Sequence, residues 1–198
     1  MSARAAPPVL VETRRLVLRP WSPLEAPGLA RALDASRREL ARWTPWVLEE
    51  SESAATLRGR LERFARHFAS GVEWRYAIFD RDDPAQPLGE CGLYPRLGPG
   101  ALEIGYWLAT AATGHGFATE SAAALGDEAF RMDDIERVEI RCAPGNGASM
   151  RVPQRLAYRA RTDPVHEPPT EGRPGGTVIV WDRHRGDSPV ARSVHVPR

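Results

Sequence analysis

The chain has 198 residues, a length typical of a single domain, and its 42% hydrophobic content is enough for a buried core. Its 27 basic and 26 acidic residues nearly cancel, so bulk charge gives no reason to expect a nucleic-acid partner. The sequence carries no recognisable signal peptide, no membrane-length apolar run and no metal-binding cysteine spacing, so we expect a cytoplasmic protein with no membrane partner and no metal.

The N-terminal part of the sequence predicts a strand followed by a helix. The stretch "VLVETRRLVLRPW" is strand-like because Leu16 and Leu18 alternate with their neighbours. Ser22 followed by Pro23 is typical of a helix start, since Ser caps the first turn and Pro is favoured at the first helical position. We expect this helix to run through about Ala35.

A second helix is predicted after an irregular segment. The stretch "RELARWTPWVLEESES", which contains Trp43 and Trp46, is predicted to be a loop or a broken helix. Large apolar residues then recur at helical spacing from Ser53 to about Ser70, and Gly71 is placed to end that helix.

The period of the hydrophobic residues then changes from helical to alternating. The stretches "EWRYAIFD", "LGECGLYP" and "ALEIGYWL" are three predicted strands in succession. The turns between them are short, which indicates an antiparallel meander.

The remaining chain alternates between helix and strand. A helix after "TAATGHG" is expected to end near Arg131, and "ERVEIRCA" is a predicted strand. "NGASMRVPQRL" is a predicted short helix, "AYRART" and "TVIVWDRH" are predicted strands, and residues 163–176 are predicted to form a loop. We therefore predict a mixed α/β fold with a mainly antiparallel sheet, as one domain at residues 9–185 between a disordered lead at 1–8 and a loose tail at 186–198.

A glycine-rich turn precedes the alanine-rich helix. Gly114 and Gly116 lie on either side of His115, where the first N–H groups of a helix carry partial positive charge. Glycines allow an anion to approach these groups closely, although a sharp strand-to-helix turn would use the same residues. The turn is not a P-loop, because Phe117 stands where that motif needs Lys, and Thr119 departs from the dinucleotide fingerprint.

Three pieces of the sequence occur in an order that resembles a known family. "ETRRLVLRPW", "LEIGYWLATAATGHGFATESAAALGDEAF" and "VEIRCAPGNGASMRVPQRLAYR" are similar to segments of the GNAT N-acetyltransferases, in the branch that contains the ribosomal-protein N-terminal acetyltransferases. The resemblance extends from about Val11 to His184. It implies the GNAT fold, which is a mainly antiparallel sheet with flanking helices, in which the fourth and fifth strands splay apart.

The resemblance implies a binding site for acetyl-CoA. In the family, the backbone N–H groups of the glycine turn bind the pyrophosphate, which here implies Gly114, His115, Gly116, Phe117 and Ala118. The preceding strand is implied to pair with the pantetheine arm along Ile104, Tyr106, Trp107 and Leu108. Asn146 is implied to contact the pantetheine region and Ser149 to lie near the thioester sulfur, although the same pair also reads as an ordinary helix cap.

Three positions depart from the pattern of the family. Ala111 stands where the family usually has Arg or Gln, so one side-chain contact to the cofactor is missing. Pro153 stands where the usual catalytic tyrosine would lie, and it also lacks the N–H that would bond the carbonyl of Ser149. Ala157 replaces a glycine, and Tyr158 beside it either substitutes for the missing tyrosine or packs in the core.

Acetyl transfer to an amine needs a proton acceptor, a donor to the oxyanion and a hydrogen bond to the leaving thiolate. Glu103 is our first candidate for the base and Glu90 the second. The alternatives are that water is the base, or that both glutamates are ordinary strand residues exposed to solvent. Ser149 is the candidate donor to the thiolate, and a backbone N–H of the splayed strand is the candidate donor to the oxyanion. Trp43, Trp46 and Glu90 are candidates for the acceptor pocket, where plain packing of the tryptophans is the alternative.

The residues and the resemblance together predict an acetyl-CoA-dependent N-acetyltransferase that modifies a primary amine. The acceptor is open between a peptide or protein N-terminus, which the branch favours, and a small amine such as an antibiotic. The alternative, motivated by Ala111 and Pro153, is a non-catalytic acyl-CoA-binding module. The length of the acyl group and the oligomeric state are also open, with a homodimer among the options.

Overall fold

The computed structural model of the protein describes residues 6–44, 53–168 and 175–187. Within these residues nine strands belong to one sheet system and four α-helices flank it. The strands are β1 (Val11–Glu12), β2 (Leu16–Pro20), β3 (Trp74–Asp80), β4 (Pro87–Tyr94), β5 (Ala101–Leu108), β6 (Arg137–Cys142), β7 (Arg159–Ala160), β8 (Val165–Glu167) and β9 (Gly176–His184). The helices are α1 (Ala26–Leu40), α2 (Ala54–Ser70), α3 (Phe117–Arg131) and α4 (Gly147–Arg155). In this part of the chain, no helix has both the length and the apolar character that crossing a membrane would require.

The sheet is mixed and mainly antiparallel, which confirms the predicted fold class. Strands β1 to β5 pair antiparallel in chain order, β6 pairs parallel with β5, and β9 pairs antiparallel with β6 and β7. The three strands predicted as an antiparallel meander are β3, β4 and β5.

The segment after α4 was predicted less well. Residues 163–176 do not form only a loop, because β8 lies within them and pairs antiparallel with the start of β9. The three residues of β8 lie between Pro164 and Pro168 and keep all their N–H groups, so a short ladder can form despite the proline-rich composition. The predicted strand "AYRART" is reduced to the two residues of β7.

The helix ends follow the predicted capping residues. Ser22 and Glu25 form a capping box at a 3-10 turn (Pro23–Glu25) that leads directly into α1, and α1 itself has no side-chain cap at its start. Ser53 caps α2, and Gly71 ends it at a φ of +72°. Helix α1 extends to Leu40, five residues beyond the expected end, because no glycine or proline interrupts the chain between residues 29 and 44.

Two hydrophobic cores lie on opposite faces of the sheet. Along β3, Ile78 belongs to the core that contains Leu125 of α3, whereas the adjacent Phe79 belongs to the core that contains Leu33 of α1 and Leu61 of α2. Successive strand residues point to opposite faces, so α3 covers one face while α1 and α2 cover the other.

Candidate active site

Strands β5 and β6 pair for only part of their length. Their parallel ladder runs from Ala101 opposite Arg137 to Ile104 opposite Ile140. Beyond Ile104, β5 continues to Leu108 and pairs with β4, but no strand of the described residues pairs with its other edge. The expected splay is therefore confirmed, and it leaves backbone N–H and C=O groups of residues 105–108 free to bind an extended ligand.

A positive-φ glycine turn lies at the end of that open edge. After a short 3-10 turn at Thr110–Ala112, Gly114 and Gly116 adopt φ values of +82° and +81°, and α3 begins at Phe117. No side chain caps the start of α3, and a Cβ added at Gly114 would meet no described atom within 4 Å. Open space in front of uncapped N–H groups is the geometry that binds a phosphate.

Arg15 holds this turn from the bend just before β2, a contact that sequence reasoning missed. Its Nη1 donates to the carbonyl oxygen of His115 at 3.0 Å, and its guanidinium lies 4.8 Å from the centre of the Phe117 ring. A Cβ at Gly116 would lie 3.6 Å from Arg15 Nη2. A cation therefore lies beside the turn even though Ala111 removes the side chain that the family places there. No local pattern could have revealed it, because Arg15 and His115 are 100 positions apart.

Glu120 fixes the position of Arg15. Its carboxylate accepts hydrogen bonds from Thr13 Oγ1 at 2.6 Å, from the backbone N–H of Arg15 at 3.0 Å and from Arg15 Nε at 2.8 Å. Burial by itself raises the pKa of Glu120, but the bonds from Thr13 and Arg15 outweigh burial and hold that pKa below its ordinary value of 4.5. The first strand and the glycine turn are thus joined through one ionised carboxylate.

Acid should weaken this junction. The folded Glu120 has the lower pKa, so below about 4.5 the unfolded chain binds a proton that the folded chain does not, and the free energy of unfolding falls as the pH falls. We expect Glu120→Gln to remove this share of the pH dependence. Urea unfolding of both proteins, from about pH 7 down to about pH 3, would measure it. Equal losses of stability in wild type and variant would contradict the assignment.

A cluster of hydroxyl and thiol groups lies where α4 meets the splayed strands. The Tyr106 hydroxyl donates to the carbonyl oxygen of Ser149 at 3.0 Å and lies 3.2 Å from Ser149 Oγ. Cys142 Sγ lies 3.3 Å from the same Oγ, and burial raises the pKa of Cys142, which keeps it a neutral thiol. Asn146 caps α4, since its side-chain oxygen accepts from the backbone N–H of Ser149 at 3.1 Å.

Both candidate carboxylates are buried and already hydrogen-bonded. Glu103 is 3% exposed, and its two oxygens accept from Arg96 at 2.8 and 2.6 Å. Glu90 is 6% exposed, and it accepts from Trp21 at 2.8 Å and from Arg75 at 3.1 Å. Neither is the solvated strand residue of the alternative interpretation. Each has its negative charge compensated, so accepting an amine proton requires one of these bonds to open.

The remaining candidates are dispersed. Trp43 follows the end of α1, is 38% exposed and lies under the Arg42 guanidinium at 5.7 Å, while Trp46 lies outside the described residues. Tyr158 does not replace the missing tyrosine, because its buried hydroxyl lies 3.0 Å from the position of a Cβ at Gly126 of α3. Among the residues that the structure describes, no group of three His, Cys, Asp or Glu side chains is arranged to hold a metal.

A family model described as "Acetyltransferase (GNAT) domain" matches residues 15–159. A curated relative, the uncharacterized protein YkkB of Bacillus subtilis, is 35% identical over 71 residues, which are 35% of this chain and 41% of that relative. The chain thus aligns with less than half of that relative's length.

Solved structures of similar fold include the following three, two of which are named as acetyltransferases. RimJ of Mycobacterium smegmatis, in complex with CoA-disulfide, has a TM-score of 0.77 at 20% identity over 91% of this chain and 90% of that chain. RimL, a ribosomal L7/L12 alpha-N-protein acetyltransferase in complex with coenzyme A, has a TM-score of 0.75 at 22% identity over 88% and 97%. The ribosomal-protein-S5-alanine acetyltransferase of Vibrio fischeri has a TM-score of 0.73 at 17% identity over 91% and 98%. At these identities the likeness shows a shared fold.

Proposed function

We infer, because this chain belongs to the GNAT acetyltransferase family, that it transfers an acetyl group from acetyl-CoA to a primary amine. The observation that carries the proposal is the open edge of β5, which ends at a glycine turn with uncapped N–H groups. An open strand edge and a phosphate-binding turn in succession match the two halves of coenzyme A, which are an extended amide chain and a pyrophosphate.

The chain offers a group for each part of the donor molecule. We propose that the pyrophosphate binds the backbone N–H groups of the turn, with contacts to Gly114, His115, Gly116, Phe117 and Ala118. Arg15 holds this turn in position. The pantetheine arm would pair with the backbone of β5 at Ile104, Tyr106, Trp107 and Leu108, and Asn146 would contact it from the start of α4. When bound, acetyl-CoA supplies a thioester whose acetyl group passes to the amine.

Different residues around the thioester would stabilise the oxyanion, donate to the leaving thiolate and accept the amine proton. A backbone N–H of β5 would stabilise the oxyanion, and the Ser149 hydroxyl would donate to the departing thiolate. We retain Glu103 as the proposed base, on the condition that Arg96 releases one of its oxygens when the amine arrives. Glu90 is the second choice, and a water molecule would serve if neither carboxylate is freed.

The acceptor is proposed to be the N-terminus of a peptide or protein. RimL, whose fold is shared, is described as an alpha-N-protein acetyltransferase. Trp43, which follows α1, Glu90 on β4, and Trp46, which lies outside the described residues, are the proposed acceptor contacts. A small amine is the second candidate acceptor.

The setting of the enzyme is also a proposal. Cys91 and Cys142 are both free and buried, which supports action in the reducing cytoplasm. A homodimer remains a prediction that light scattering of the purified protein would decide.

A screen of acceptors tests the function directly. The purified chain and acetyl-CoA would be incubated with N-terminal peptides, lysine-containing peptides and small amines, and free thiol release would be followed. Release that depends on a peptide α-amine is the expected result. Binding of coenzyme A by calorimetry without thiol release from any acceptor would favour the acyl-CoA-binding module, which Ala111 and Pro153 motivate.

The glycine turn provides a test of donor binding. Gly116→Val should weaken acetyl-CoA binding at least tenfold, about 1.4 kcal/mol, because a branched residue is strained at a φ of +81° and projects beside Arg15. Calorimetry on the folded variant would measure the change.

Gly98→Val is the matched control for this change. Gly98 has a φ of +88° and lies in the connection before β5, at the opposite end of that strand from the turn. The Gly98→Val variant should carry the same backbone strain and bind acetyl-CoA normally. Equal affinities in the two variants would exclude the turn from the donor site.

A further inference from the structure

Tyr106 is placed to act on the group that we assign to the leaving thiolate. Its hydroxyl lies 3.0 Å from the carbonyl oxygen of Ser149 and 3.2 Å from Ser149 Oγ, so it contacts both oxygens of one residue. Tyr106 lies on the part of β5 beyond the parallel ladder, beside the slot between the splayed strands. We propose that Tyr106 is a positioning residue that orients and polarises the Ser149 hydroxyl, and that it performs from β5 a task left vacant at position 153. This inference rests on the proposed acetyl transfer.

Pro153 explains why the hydroxyl of Tyr106 is needed here. In an uninterrupted helix, the N–H of residue 153 would donate to the carbonyl of Ser149, but proline has no N–H. The carbonyl then requires another donor, and the Tyr106 hydroxyl provides it. The same proline that removes the family's tyrosine therefore creates the acceptor that holds a different tyrosine at Ser149.

The cluster of Tyr106, Ser149 and Cys142 contains more hydrogen-bond acceptors than its hydroxyl protons can fill, so these protons can be arranged in two ways. When Tyr106 donates to the carbonyl, the Ser149 hydroxyl can donate to the Tyr106 oxygen or to Cys142 Sγ. When negative charge develops on a thiolate beside Ser149, that hydroxyl can turn towards it while Tyr106 donates to Ser149 Oγ. Both protons stay on their own oxygens, so the change is a rotation of two hydroxyls and needs no additional reactant.

The surroundings keep Tyr106 a donor throughout. Burial raises the pKa of Tyr106 and outweighs the hydrogen bond with Ser149, which lowers it, so the phenol stays protonated at neutral pH. A donor that contacts Ser149 Oγ makes the serine hydroxyl a stronger donor in turn, since hydrogen bonds in a chain polarise one another.

Tyr106→Phe tests the inference when it is made in two backgrounds. In the wild-type background we expect kcat to fall roughly tenfold, the worth of one hydrogen bond, with the coenzyme A affinity unchanged by calorimetry. The Ser149 carbonyl also loses its donor, so the free energy of unfolding, measured in urea, should fall as well. In the Pro153→Ala background an N–H is restored to that carbonyl, so the stability cost of Tyr106→Phe should disappear while the loss in kcat persists.

Tyr158→Phe is the control, because it removes a buried hydroxyl that forms no hydrogen bond with any described residue, and it should leave kcat at the wild-type value. If Pro153→Ala abolishes the kcat effect of Tyr106→Phe together with the stability effect, Tyr106 is only a helix cap and the inference fails. Absence of thiol release by the wild type with every acceptor would instead overturn the proposed function. If Tyr106→Phe alone does not fold, the comparison of Pro153→Ala with Pro153→Ala/Tyr106→Phe gives the same decision.

Discussion

Glu103→Gln should lower kcat/KM by roughly 10²–10⁴-fold, the range for loss of a general base. The amide cannot accept the amine proton, yet it can still receive a hydrogen bond from Arg96, which is 40% exposed and can be solvated. We therefore expect a folded variant that binds acetyl-CoA normally. Steady-state kinetics over the pH range, with calorimetry for the donor, would measure both quantities.

Two comparisons make this result specific to Glu103. The amine's own ionisation also produces a rise of kcat/KM with pH, so two acceptors of different basicity must be used. Glu90→Gln is the comparison for the second-choice base, because Glu90 is likewise buried and bound by a guanidinium, and the variant that loses the pH-dependent rise of kcat/KM identifies the base. If the rise of kcat/KM with pH follows the pKa of the acceptor and survives in Glu103→Gln, Glu103 is only the structural partner of Arg96. The amine then arrives already neutral or loses its proton to water.

Ser149→Ala should lower kcat by roughly 10²-fold, the lower end of what is lost with one donor to a developing charge. The substitution removes only the hydroxyl. The cap of α4 survives, because Asn146 receives its hydrogen bond from the backbone N–H of residue 149. Acetyl-CoA affinity should therefore change little, since the bond to sulfur strengthens only in the transition state. The rate must be measured where the chemical step limits turnover.

Ser121→Ala provides the matched control for this change. Ser121 carries a buried hydroxyl in α3 that bonds the carbonyl of Ala118, and it should keep the wild-type kcat. A wild-type kcat in Ser149→Ala would leave Ser149 as part of the helix start and nothing more, and the thiolate donor would have to be sought elsewhere in the slot.

Local features of this fold could be predicted because local chemistry decides them. Ser53 and Gly71 bound α2 where the sequence places a cap and a left-handed residue, and Gly114 and Gly116 adopt the positive φ values that only glycine tolerates well. The alternation of β2 likewise buries Leu16 and Leu18 completely. The caps and the glycine turn are decided within a few residues, and the alternation of β2 is itself a local pattern.

Contacts between distant parts of the chain could not be predicted in this way. Arg15 meets the turn 100 residues later, and Tyr106 meets Ser149 43 residues later. Neither the Arg in the bend before β2 nor the Tyr on β5 has a local sequence pattern that marks the contact. The ion pair of Glu103 with Arg96 could not be predicted either, because the geometry of the hairpin between the two residues decides whether their side chains meet. The candidate site was therefore predicted where it depends on motifs and missed where it depends on side chains from other strands.

The link from Arg15 to His115 has a consequence for the order in which the enzyme is made. Among the described residues, the side-chain contacts that we find at the glycine turn come from Arg15 and Glu120, so these residues have been synthesised once the ribosome has passed residue 131. The hydroxyl cluster on α4 and the strand β9 emerge only afterwards. Synthesis from the N-terminus therefore supplies the residues proposed to bind the phosphate before the residues proposed to act on the sulfur.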